Sequence, residues 1–146
     1  MNKPQQILRT PLFLWGPVAL QMVLIFAASS IPELRNLPGG MSDKSGHGIG
    51  YAILGAVLIR ALAGGRLTGV TWRRAGLTVL LATLYGVTDE FHQAFVPGRA
   101  PDWLDVLADC FGAAFAVAVI AAIARVRGVY SNFRPVRTGS TDGGAG

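Results

Sequence analysis

The residues with chemical capacity fall in two short runs. Between Tyr85 and Asp109 the chain reads YGVTDEFHQAFVPGRAPDWLDVLAD, with Asp89 beside Glu90, then His92, Gln93, Arg99, Asp102, Asp105 and Asp109. A second run, DKSGHGIGY, holds Asp43, Lys44, His47 and Tyr51. Carboxylates and imidazoles can trade protons, so Asp89, Glu90, His92 and His47 are the candidate catalytic groups. Asp43, Lys44, Tyr51, Gln93, Arg99, Asp102, Asp105 and Asp109 are the candidate binding groups. Lys44 and Arg99 have the charge to hold an anion. Mixed histidine and carboxylate donors suit zinc or manganese, and oxygen-rich sets suit magnesium or calcium. A divalent metal is therefore one reading, with its ligand set left open at this stage. H-E-x-x-H, G-x-S-x-G and a cysteine ligand pair do not occur in the sequence.

The surroundings make these groups informative. The chain has 146 residues, 51% hydrophobic and 14% charged. A soluble domain carries about 25% charged residues. An ionisable side chain at mid-membrane depth costs roughly 2.5–3.5 kcal/mol, so such groups usually mark a functional place.

Four apolar stretches must position them, at about 11–30, 46–63, 75–95 and 103–124. Each is near the ~20 residues that a helix needs to cross a bilayer. Gly and Pro punctuate the breaks IPELRNLPGGMSD, GGRLTGVTWRR and VPGRAP. The first stretch is long for a signal-peptide core and lacks a clean A-x-A site, so it is expected to stay as a helix. The expected fold is all-α: an integral membrane four-helix bundle over residues 1–128. Residues 129–146 are rich in Gly, Ser, Thr and Arg and are expected to form a disordered tail.

The net charge of +5 is not a nucleic-acid signal here, because no such binding motif is present. The cations cluster between spans instead. Lys3, Arg9, Arg60, Arg66, Arg73, Arg74, Arg125, Arg127, Arg134 and Arg137 flank one side, while Arg35, Lys44 and Arg99 flank the other. The positive-inside rule then puts both termini in the cytoplasm. Of the eight acids, all but Asp142 fall on the opposite, outward side. The expected location is the cell membrane, multi-pass, with an extracytoplasmic functional face. Trp15, Trp72 and Trp103 suit interface anchors. Cys110 is single, which rules out an internal disulfide.

Helical spacing groups the polar residues. Asp43, His47 and Tyr51 share a stripe, as do Tyr85, Asp89, His92 and Gln93, and again Asp102, Asp105 and Asp109. Glu90 points about 100° from Asp89. Lipid satisfies none of these groups, so the three stripes are expected to face one another or a wet cleft. Gly46, Gly50, Gly86, Gly112, Ala113 and Ala116 suit close helix approach. The acids outnumber Lys44 and Arg99, so protons, cations or charged histidines must complete the cluster.

At DKSGHGIGYAILG (Asp43 to Gly55), YGVTDEFHQAFVPGR (Tyr85 to Arg99) and DWLDVLADCFGA (Asp102 to Ala113) the chain resembles the VanZ-like family of small bacterial membrane proteins. The shared pattern is Asp-Lys-x-x-His before one helix, then Tyr-Gly, Glu, Gln, Pro-x-Arg and Asp across a later hairpin. The resemblance implies an all-helical envelope protein linked to lowered glycopeptide (teicoplanin) susceptibility, with no established reaction. Three roles follow for the polar groups: an enzyme on an envelope lipid or lipid-linked precursor, a non-catalytic binder of one, or a layer that only locks the helices. Membrane lipids are the expected partners. A transporter is a weaker fit, because the sequence shows no internal pseudo-symmetry.

Overall fold

The computed structural model describes residues 10–32 and 43–132. Among them the structure is all-helical, with four α-helices: α1 Pro11–Ser29, α2 Asp43–Leu62, α3 Trp72–Gln93 and α4 Trp103–Asn132. A short 3₁₀ turn, Leu67–Gly69, lies between α2 and α3. The helices α2 and α3 each start three residues ahead of the sequence expectation. Thr71 explains the second case: its side chain accepts from the Arg74 N–H and fixes the first turn. Gly64 and Gly65, with φ of 65° and 71°, end α2 in a left-handed turn that L side chains rarely adopt.

Helix α4 runs on to Asn132, and residues 133–146, most of the stretch expected to form a tail, lie outside the described residues. Three helices, α1, α2 and α4, are long and apolar enough to cross a membrane. Helix α3 is long enough but more polar, with Arg73, Arg74, Asp89 and Glu90 near its ends and Thr78 and Thr83 between them.

The exterior is oily, and polar side chains share the interior with an apolar core. Phe91, Phe95, Phe111 and Phe115 are 69–72% exposed, while Thr78, Gln93 and Asp109 are among the most deeply buried side chains. A water-soluble chain hides its aromatics and wets its acids, so this inversion fits a lipid exterior. Length, composition and this surface make the chain a multi-pass membrane protein.

The helices alternate in direction, so α2 and α4 run parallel and share the closest interface. Its cause is local. A Cβ on Gly112 would run into the Gly48 carbonyl oxygen, and one on Gly55 would lie 2.9 Å from the Ala113 Cα. Small residues there let two backbones touch. The expectation of small-residue packing holds, with Gly48 and Gly55 in the contact on the α2 side. A Cβ on Gly50 would only meet Ile25 Cγ1 at 3.8 Å.

Helix α1 is tied on by backbone acceptors. Pro17 has no N–H, so the Phe13 carbonyl lacks its helical donor. Arg60 of α2 supplies one, donating from Nη1 at 3.1 Å, and its guanidinium lies 4.8 Å from the Phe13 ring. Further along, Gln21 Nε2 donates to the Gly50 carbonyl at 3.0 Å, and the Tyr85 hydroxyl donates to the Met22 carbonyl at 2.7 Å.

Candidate functional site

The start of α2, the end of α3 and the start of α4 meet at one end of the bundle, as the polar stripes require. Arg60, Arg66, Arg73, Arg74 and Arg125 belong to the other end. Trp72 is 76% exposed at the arginine-rich end, and Trp103 is 69% exposed at the acidic end.

The parallel run of α2 and α4 brings their stripes side by side. Lys44 Nζ lies 2.6 Å from Asp102 Oδ2 and 3.2 Å from Asp105 Oδ1. One turn deeper, His47 Nδ1 is 3.0 Å from Asp109 Oδ1, with both side chains buried. The same ring faces Glu90 of α3, with Nε2 3.9 Å from Oε1. The Tyr51 ring follows, nearly parallel to His47 at 6.3 Å between centroids. Nitrogen and oxygen donors of His47, Glu90 and Asp105 lie within 4.8 Å of one another, and these are the residues that could hold a metal.

The polar residues at the end of α3 divide between its neighbours. Glu90 turns toward α2 and α4, and its Oε2 accepts the Asp102 backbone N–H at 2.8 Å. Asp89 stays buried on its own helix, its Oδ2 accepting from Gln93 Nε2 at 3.1 Å. His92 goes the other way. Its Nε2 lies 3.0 Å from the Ser30 hydroxyl, and its ring stacks 4.3 Å from Phe26 of α1. The two histidines therefore belong to different surroundings, and Glu90 rather than His92 joins His47. Ser30 and Phe26 were not singled out in the sequence. Their only signal there is position, at the end of α1 nearest the acidic loops. Arg99 sits half-buried in the turn after α3, with its N–H bonded to the Val96 carbonyl at 3.1 Å. The side chain of Asp43 lies outside the described residues.

Gly86 has a role the sequence left general. A Cβ there would collide with Asp109 Oδ2, so the missing side chain makes room for that carboxylate between α3 and α4. Several polar atoms in this layer are buried with no hydrogen-bond partner among the described residues: Asp89 Oδ1, Glu90 Oε1, Asp109 Oδ2 and the Tyr51 hydroxyl. Buried polar groups are nearly always paired, so each calls for an account.

The rim behaves differently. Lys44 and Asp102 remain 46% and 36% exposed, where water and salt weaken an ion pair. The Lys44 ammonium, aided by the Leu104 N–H, holds the Asp102 carboxyl below its ordinary value of 3.8. A depressed carboxyl stabilises the fold above that ordinary value, and the contribution disappears as pH falls through the folded value. Lys44→Met should therefore move the Asp102 titration up toward 3.8, read by carbon NMR of the labelled carboxyl, with little change in melting temperature.

These features define a class: a helical, multi-pass membrane protein with a buried carboxylate–imidazole layer at one end. The VanZ/LLP1 family model matches residues 11–125, and the chain belongs to that family. No curated protein and no solved structure matches the chain.

Proposed function

We propose that this protein binds or modifies an envelope lipid or lipid-linked precursor at its acidic end, and that this end faces away from the cytoplasm. One observation carries the reading. Asp89, Glu90 and Asp109 are buried, yet each keeps an oxygen without a hydrogen-bond partner among the described residues. A layer that served only to join helices would have its acceptors satisfied, because an unmet buried polar group costs about 1–3 kcal/mol. Open acceptors instead suit a site that takes up a proton, a cation or a donor group from a ligand. Glu90 and His47 are the pair with acid–base capacity, and Lys44 at the rim can meet an anionic headgroup. The arginine-rich opposite end supports the outward direction, with both termini cytoplasmic. Family membership supports an envelope role, and lowered teicoplanin susceptibility is the phenotype in which it would be visible.

A purely structural role is the second reading. It is favoured by the bonds that tie α2 to α4, Lys44 with Asp105 and His47 with Asp109. Complementation of a deletion strain separates the two, with growth scored under teicoplanin and other envelope stress and protein abundance monitored. Asp89→Asn, Glu90→Gln and Arg99→Gln are expected to lose the phenotype at normal abundance. Phenotype and abundance falling in step would instead establish the structural reading.

A further inference from the structure

We infer that His47, Glu90 and Asp105 form a divalent-cation site of mixed nitrogen and oxygen donors, of the zinc or manganese type. The inference rests on reading this cluster as a ligand site, and it names what the cluster holds.

The three donors come from three helices, and their ligating atoms lie within 4.8 Å of one another. The imidazole is already oriented. Nδ1 lies 3.0 Å from Asp109 Oδ1, so that carboxylate can hold a hydrogen on Nδ1 and leave Nε2, which faces Glu90, to take an ion. A carboxylate behind the imidazole is the usual support of a metal-ligating histidine, because it sets the tautomer and raises the basicity of the far nitrogen.

The gap between Nε2 and Glu90 Oε1 is the second observation. At 3.9 Å it is too long for a hydrogen bond. Two ligands on one ion, each at roughly 2.0–2.2 Å, stand about 3–4 Å apart. Glu90 is 6% exposed, and its Oε1 has no hydrogen-bond partner among the described residues. Its other oxygen is pinned by the Asp102 N–H at 2.8 Å, which aims Oε1 at the histidine. Asp105, the third donor, is 4% exposed, and its Oδ1 is held by Lys44 Nζ at 3.2 Å.

A cation also resolves a charge conflict. An acid-rich pocket repels a lipid phosphate, whereas a metal held by three protein ligands keeps open positions for a phosphate oxygen.

The test uses the full chain, purified in detergent without a metal-affinity tag, and zinc or manganese alone as probe. Elemental analysis after dialysis should find one ion per chain. Glu90→Gln and Asp105→Asn should each lower bound metal about tenfold or more. His92→Gln, which changes the other histidine, should keep it. Cobalt(II) added to the wild-type chain should develop the visible absorption of a low-symmetry nitrogen–oxygen site, which needs no variant to fold. Wild type that holds neither metal and gives no cobalt band would overturn the assignment. So would metal retained in full by Glu90→Gln, or lost equally in His92→Gln. Because these measurements contain no lipid, metal binding without a site-dependent phenotype would sink only the functional proposal. A site-dependent phenotype in a metal-free protein would sink only this inference.

Discussion

His47→Ala is expected to lower the stability of the purified protein by about 3–5 kcal/mol. The reason is the company it leaves behind. Asp109 is fully buried, its Oδ1 sits 3.0 Å from the imidazole, and its Oδ2 has no other hydrogen-bond partner among the described residues. Removing the histidine strands a carboxylate in a low-dielectric layer, and the loss exceeds the worth of the pair itself. The double change His47→Leu with Asp109→Leu should therefore recover much of the loss, since a buried pair exchanged for apolar residues is often neutral. Thermal melts in detergent, arranged as a double-mutant cycle, measure the coupling. A single His47→Ala variant as stable as wild type would show that Asp109 is already neutral or paired elsewhere.

Gly112→Val is expected to prevent accumulation of folded protein. Its Cβ would collide with the Gly48 carbonyl oxygen and lie 3.1 Å from the Ala52 nitrogen. Both are backbone atoms of α2, and no side-chain rotation relieves them. Overpacking a core costs about 1–3 kcal/mol where side chains can shift, so a backbone clash sets this as a lower bound. Moving α4 away from α2 would also pull Asp105 and Asp109 from Lys44 and His47. Gly76→Val makes the matched control. A Cβ there has nothing within 4 Å, and the change should leave abundance near wild type, read by fluorescence-detected size exclusion.

The contrast between these two glycines shows what was legible beforehand. Apolar length marked α1, α2 and α4, and the glycine and proline breaks marked their ends, because hydrocarbon thickness and backbone chemistry act locally. Helical spacing likewise put Asp102, Asp105 and Asp109 on one face. Spacing measures angles about a helix's own axis and says nothing of where its neighbours stand. Hence Glu90, set apart from the Asp89 stripe, turned out to be the residue that meets His47. His92, inside that stripe, went to Ser30 and Phe26. Which glycines touch was hidden for the same reason: Gly48 depends on the register of α2 against α4, which no local pattern encodes. The bond from Arg60 to the Phe13 carbonyl was also out of reach. Pro17 announces an orphaned acceptor, but not which distant side chain will answer it.

The modest apolarity of α3 bears on how the chain is made. A segment with two arginines at its start and two acids near its end partitions poorly from the translocon by itself. Helix α4 follows after a short turn and is the most apolar of the three candidate spans. Its arrival supplies the greasy partner that α3 lacks. The last two helices would then leave the translocon as one hairpin, and a nascent chain ending at Gln93 would hold only its first two helices securely in the bilayer.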